Sequence, residues 1–237
     1  SPTQWQVGYG EFRDSEHSHR GIMTHVDSRF SVTASNADRW IPIAPGQEGK
    51  LALSIAYVII EEGLYPSDVD INGLTSGQGL NALAGYSPEN IGSQLGTPDN
   101  VLGSHSVSEL IRTVAREFAS HRPAIAIGGG TAGASTNGLF NLESIYLLNH
   151  LVGSVGKEGG VIFNPEPPIK GLKGYSNSHT LTDIEELVND IKASKIKMLF
   201  VYNVNPVYGA PDWAGLEQVL NSNDLYMVNI GSFVNET

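Results

Sequence analysis

Apolar and polar positions change period several times along the chain. Residues 21–27 (GIMTHVD) form a short apolar run ending in an acid and predict a strand. Residues 38–45 (DRWIPIAP) predict an extended segment, which the prolines confine to a sheet edge or a crossing. Residues 46–62 read as a helix with Gly63 as its C-terminal stop. From 64 to 104 the pattern weakens, with frequent Pro, Gly, Asn and Ser. A short helix is expected at 88–95, and this stretch is the expected inter-domain connection. Residues 106–120 read as an amphipathic helix capped by Ser106 or Ser108, with Val107, Leu110, Ile111, Val114 and Phe118 on one face.

Residues 122–138 (RPAIAIGGGTAGASTNG) predict a buried strand, a sharp glycine turn and a helix N-terminus near residues 136–139. A helix follows over 139–151, with Leu142, Ile145, Tyr146 and Leu148 at helical spacing. Helices at 182–194 and 213–220 then alternate with strands at 197–203 and 225–230. That alternation implies an α/β protein with a mostly parallel sheet and right-handed crossovers.

Composition narrows the function. The 237 residues are 40% hydrophobic and 16% charged, a balance that folds rather than stays disordered. A net charge of -11 disfavours nucleic acid and anionic membrane surfaces as partners. The absence of cysteine excludes disulfides, a thiolate nucleophile and a Cys-ligated cluster within this chain. No apolar run is long enough to span a bilayer. The histidines are scattered, with only His17 and His19 as a near pair, so no metal site is expected. The chain starts at Ser1 without Met and stops at Thr237 just after a strand-like segment, so it is expected to be a fragment of a longer protein.

Four segments carry candidate chemistry. In GGGTAGASTNG, the Gly128–Gly129–Gly130 turn and Asn137 precede a helix N-terminus, which suits a phosphate or pyrophosphate; the alternative is a tight turn without ligand. Asn203 and Asn205 in VYNVNPVYGAPD follow a strand and offer amides to a purine edge or sugar; the alternative is ordinary Asn-Pro turn chemistry. Asp27 in HVDSRF ends a strand, where an acid accepts from ribose hydroxyls, while Arg29 pairs with a phosphate or simply with Asp27. Gln47 and Glu48 in PGQEGK open a long helix. Glu48 either stabilises that helix or accepts from the amino group of a guanine. Catalytic groups are scarce, so any chemistry is expected to come from a bound cofactor or from other parts of a longer chain.

The order of several blocks resembles the molybdopterin-guanine-dinucleotide oxidoreductases, the dimethyl-sulfoxide reductase superfamily. HVDSRFSVTASNADRWIPIAPGQEGKLALSIAY is similar to that family's VDPR…TA…AD-x-W…PGTD block. YSPENIGSQLG, RPAIAIGGGTAGASTNG, LLNHLVGSVGKEGG, FVYNVNPV and SFVNET are similar to its later blocks, in the same order. The wording of the first third resembles most the molybdopterin-oxidoreductase-like iron–sulfur subunit of alternative complex III, then polysulfide-reductase-type enzymes. The resemblance implies a fragment of two central Rossmann-like, three-layer α/β/α domains. Residues 1–104 would belong to the first with a connection, and 105–237 to the second.

It further implies a bis-molybdopterin guanine dinucleotide cofactor, with iron–sulfur clusters outside this fragment. The expected function is to hold that cofactor while electrons pass between a substrate and the iron–sulfur chain, the fragment not being catalytic alone. Asp27 and Arg29 match DPR, Gln47 and Glu48 match the guanine-contacting TD, and Gly128–Gly130 with Asn137 match the glycine turn. Asn205 and Pro206 match the second nucleotide block, and Glu236 and Thr237 the ET. Two departures stand out: Ser28 replaces the turn proline, and QE replaces TD. Implied partners are the rest of the parent chain and iron–sulfur and membrane-anchor subunits. The implied location is a membrane-associated respiratory complex, on its extracytoplasmic face. The alternative complex III branch implies a second function, a structural domain that keeps the fold without metal or pterin. A thiamine-diphosphate middle domain also shows a similar glycine block, but the DSRFSVTASNADRWIPI stretch does not fit it.

Overall fold

A computed structural model describes residues 2–14, 16, 20–98, 106–165, 180–222 and 224–237. The chain divides into two compact units, Ser1–Asn164 and Pro165–Thr237. His17, His19, His105 and His179 lie outside the described residues.

The first unit opens with α1 (Pro2–Arg13), which the sequence pattern did not announce. Arg13 fastens it by hydrogen bonds to Asp38, and Arg20 also reaches that carboxylate. The Arg13 guanidinium, with the Met23 amide, holds the Asp38 carboxyl well below the usual range. Two short strands, β1 (Thr24–Val26) and β2 (Arg39–Ile41), pair in parallel around α2 (Val32–Asn36). Next comes α3 (Glu48–Glu61), shorter at its start than the pattern predicts because Pro45 and Gly46 turn and Gln47 becomes the N-cap.

The α3 helix is the axis of this unit. Leu51, Ala52, Leu53, Ile55, Ala56, Val58 and Ile59 are all buried, so it is enclosed rather than amphipathic. The weakly patterned stretch contains α4 (Ile71–Leu74), a 3-10 turn at Gly79–Tyr86 and α5 (Pro88–Gly92). It contributes Leu83, Ile91 and Leu95 to the core around α3. Then α6 (Val107–Ser120) packs on α3. Ser106 caps it reciprocally: its Oγ accepts from Glu109 N at 3.2 Å, and its N–H donates to Glu109 at 2.7 Å. Ile111, Val114, Ala115 and Ala119 face inward, with Val107, Leu110 and Phe118 half-buried beside them. Finally α7 (Gly138–Leu151) lies against α3 along its length.

The segment before the triple glycine departs from expectation. Residues 124–128 join no strand ladder. The α7 helix and the loop after it supply the missing partners. Asn149 accepts from Ala126 N at 2.7 Å and donates to Ala126 O at 2.8 Å. Ser154 Oγ donates to Ala124 O at 2.5 Å, and Tyr146 to Gly128 O at 3.1 Å. The carbonyls of all three alternating residues, and the amide of Ala126, are thereby satisfied by side chains. Ile125 and Ile127 alternate with them, are exposed, and make no hydrogen bond among the described residues.

The second unit holds α8 (Leu181–Lys192), β3 (Met198–Tyr202), α9 (Pro206–Gly209), α10 (Leu216–Leu220) and β4 (Tyr226–Ile230). The strands pair in parallel as the alternation predicts, from Met198 opposite Tyr226 to Tyr202 opposite Ile230. Val188, Ile191, Leu216, Val219 and Leu220 form its core, against Leu199 and Met227. The opposite strand faces, including Phe200, Tyr202 and Tyr226, are exposed. The protein is thus α/β, with small parallel sheets and helices.

Candidate functional site: a buried amide that joins two loops

The PGQEGK and GGGTAGASTNG blocks, some 90 positions apart, meet in the first unit at the N-termini of α3 and α7. Asn141, on the second turn of α7, is fully buried. Its Oδ1 accepts from Gly49 N at 3.0 Å and from Asn137 Nδ2 at 3.3 Å. Its Nδ2 donates to Glu48 Oε2 at 3.1 Å and to Ala132 O at 3.0 Å. An asparagine amide has two donors and two acceptor lone pairs, so every valence is used. Asn137 extends the network by donating to Gly46 O at 2.8 Å and accepting from Ser135 Oγ at 2.8 Å. The approach is close. A Cβ on Gly49 would lie 2.7 Å from both Asn141 Oδ1 and the Phe140 ring, so glycine is needed there.

Glu48 is 7% exposed, an unusual burial for a carboxylate. It faces no ion-pair partner among the described residues; Asn141 supplies its one hydrogen bond. Its Oε1 is therefore an acceptor without a partner. Beside it, Gln47 Oε1 is buried and also unpartnered. Leaving the buried Gln47 oxygen without a donor costs about 1–3 kcal/mol. The glycine turn differs from its surroundings. Gly129 and Gly130 have open space where a Cβ would stand, whereas a Cβ on Gly128 would press on Leu142 and Ile145. Gly130, at φ +55, starts a 3-10 turn ending at Gly133, which the sequence pattern did not show.

Asp27 and Arg29 are placed at the end of β1 and make no hydrogen bond to this network among the described residues. Asp27 Oδ1 accepts from Arg29 N at 3.2 Å, and its Oδ2 lies 3.7 Å from His25 Nε2. The Arg29 guanidinium makes no ion pair with Asp27 among the described residues, and the side chain is exposed. Trp40 Nε1 donates to Asp27 O at 3.0 Å, and Phe30 meets the Trp40 ring edge-on with centroids 4.9 Å apart.

In the second unit, Asn203 takes a left-handed conformation, φ +51, at the end of β3, and its N–H donates to Ile230 O. Asn205 caps α9. Its Oδ1 accepts from Thr237 Oγ1 at 2.8 Å and its Nδ2 donates to Glu236 Oε2 at 2.6 Å. That bond lowers the Glu236 pKa. The Asn-Pro and Glu-Thr blocks thus meet. Asn141, Asn149 and Ser154 escaped the sequence reading. The available signal was three asparagines, at 137, 141 and 149, in and just before an otherwise apolar helix where asparagine is disfavoured.

Comparison with known proteins identifies the family. The molybdopterin oxidoreductase family matches over residues 16–237, and the chain belongs to that family. It is similar to the menaquinone reductase molybdopterin-binding-like subunit of Nitratidesulfovibrio vulgaris, 28% identical over 86% of this chain and 28% of that protein. It is also similar to the molybdopterin-containing subunit ArrA of the arsenate respiratory reductase of Chrysiogenes arsenatis, 32% identical over 60% of this chain and 18% of that one. Dimethyl sulfoxide reductase DmsA of Haemophilus influenzae is 31% identical over 73% of this chain and 22% of its own. The chain spans less than a third of these relatives' lengths. Among the described residues no helix is long and apolar enough to cross a membrane.

Proposed function

We propose that this chain is a cofactor-holding central part of a molybdopterin oxidoreductase, binding a guanine-dinucleotide arm rather than performing the redox step. One observation carries the reading: Gln47 Oε1 is buried without a donor, and the carboxylate of the next residue, Glu48, keeps one oxygen free of any hydrogen bond among the described residues, while Gly129 and Gly130 have open space where a Cβ would stand. Guanine presents adjacent N–H donors, the ring N1–H and the 2-amino group, that fit such a pair. The residues present therefore suit a guanine end. Gln47 and Glu48 would accept from the base, the amides around Gly128–Gly130 and Asn137 would face phosphate, and Asp27 and Arg29 would hold the sugar and phosphate. Asn203 and Asn205 would serve a second nucleotide. When bound, the molybdenum–pterin group supplies the two-electron exchange with substrate.

The rest of the reading concerns the parent protein. It would pass electrons to iron–sulfur clusters outside this chain, together with iron–sulfur and membrane-anchor subunits, at the extracytoplasmic face of a membrane. The Rossmann-like three-layer arrangement and a division at residue 104/105 belong to this proposal. Limited proteolysis of the parent, with fragment ends read by mass spectrometry, tests that division.

A second reading has its own support. Glu48 already receives a hydrogen bond from Asn141, and the N. vulgaris relative is named a binding-like subunit. A domain that keeps the fold and has lost the cofactor would look similar. The deciding experiment is the pterin and molybdenum content of the intact parent, purified from native membranes. Pterin and molybdenum together support the first reading. Iron–sulfur clusters with neither metal nor pterin establish the second.

A further inference from the structure

We infer that Asn141 is a positioning residue that orients the Glu48 carboxylate so that one oxygen is offered to the guanine base. The inference rests on the cofactor-holding reading. Asn141 is enclosed, its four hydrogen-bonding valences are spent on four partners, and its donation to Glu48 Oε2 is the only hydrogen bond Glu48 receives among the described residues. Because Nδ2 can only donate, the Glu48 atom it meets must be an acceptor. That commits Oε2 inward and leaves Oε1 as the acceptor for a guanine N–H. The same amide holds Gly49 N and Ala132 O, so the carboxylate and the glycine turn keep one spacing. An unheld glutamate, with three side-chain torsions, would not present one oxygen in a fixed place.

This arrangement makes a prediction that a merely structural asparagine does not. In Glu48→Gln, Asn141 still requires an acceptor, so it draws in the amide oxygen and turns Nε2 toward the ligand. A donor then meets the donors of guanine. In Glu48→Gln with Asn141→Asp, the new carboxylate accepts from Nε2, and the amide oxygen again faces the ligand. The double variant should therefore recover what Glu48→Gln loses.

The experiment uses the full-length parent, prepared free of pterin, with guanosine diphosphate and inosine diphosphate as probes in isothermal titration calorimetry. Inosine lacks the 2-amino group, so the ratio of the two affinities reads the acceptor directly. The unsubstituted parent should prefer the guanosine probe by about tenfold or more, the size of one hydrogen bond to a charged acceptor. Glu48→Gln and Asn141→Ser, whose side chain is too short to reach Glu48, should each bring that ratio near unity, and Glu48→Gln with Asn141→Asp should restore a clear preference. A double variant no more selective than Glu48→Gln would overturn the inference, because independent losses add. Thermal melting of each variant checks folding. If the double variant does not fold, Asn141→Ser decides alone: the inference requires loss of the preference, and retention of it overturns the assignment. No binding of guanosine diphosphate by the unsubstituted parent defeats the guanine reading itself and the inference with it. Preference kept in Asn141→Ser defeats only the inference.

Discussion

The two units solve the same problem with unequal means. In the first, α3 is surrounded on all sides, and an asparagine with every valence filled ties its start to a loop some 90 residues away. In the second, a small cluster of Val188, Ile191, Leu216, Val219 and Leu220 supports a two-stranded sheet whose outer side chains, such as Phe200 at 62% exposure, meet solvent. Its polar cluster of Asn205, Glu236 and Thr237 lies largely at the surface. The difference shows where precision is built. A ligand-facing group held inside a core keeps its geometry because moving it disturbs packing, whereas a surface cluster keeps it only through its own hydrogen bonds.

The comparison can be broken most directly at Asn141. Asn141→Leu removes four hydrogen bonds and leaves the Glu48 carboxylate buried and unpartnered. We expect a loss of about 3–5 kcal/mol in the denaturation midpoint analysis of the first unit, with amide exchange in the second unit unchanged. Equal loosening of both would show that they do not differ as described. Next in size is the apolar core. Ile59→Ala, at 0% exposure on α3, should cost about 2–5 kcal/mol in urea titration. Leu220→Ala, at 8% exposure, should fall at the low end of the same range because its surroundings are thinner. Smaller again is Asn205→Ala, which removes a helix cap and should cost about 1 kcal/mol, read as faster amide exchange in α9.

The smallest effect is that of acid. Arg116 lowers the Glu62 pKa, Arg112 that of Glu89 and Arg39 that of Glu117, all in the first unit. A carboxylate with a depressed folded-state pKa stabilises above its unfolded value, and that contribution disappears as pH falls through the folded value. Stability of the first unit should thus decline below the ordinary carboxylate range of about pH 4–5, modestly because these pairs touch solvent. The second unit, where Asn205 lowers the pKa of the exposed Glu236 carboxyl, should decline less. A steeper acid loss there would contradict the comparison.

Much of this fold was legible in the sequence. The helices α3, α6, α7 and α8 and both strands of the second unit follow from apolar periodicity and capping residues, within a few positions. The 124–128 segment misled because its sequence is that of a buried strand, while its backbone partners are side chains of a helix that begins ten residues later. No periodicity encodes such a substitution. The α1 helix was missed because Gly8 and Gly10 lower its intrinsic propensity, and Arg13 makes up the anchorage through Asp38. At the site, residues 47, 48 and 137 were identifiable from their blocks, but Asn141 was not. Its role depends on meeting Glu48 across a long separation, and an asparagine in a largely apolar helix does not name its partner.

The unladdered 124–128 segment also bears on handling. Along one side the Ala126 amide and the carbonyls of Ala124, Ala126 and Gly128 are occupied; along the other, Ile125 and Ile127 present amides and carbonyls without partners among the described residues, Ile127 at 68% exposure. Such an edge can template a strand from any other chain in solution. Produced alone, the 237-residue polypeptide should therefore gather into β-rich aggregates as its concentration rises. A single charge at the outward position, Ile127→Lys, should delay that onset in light scattering, since a lysine on the edge repels its own copies.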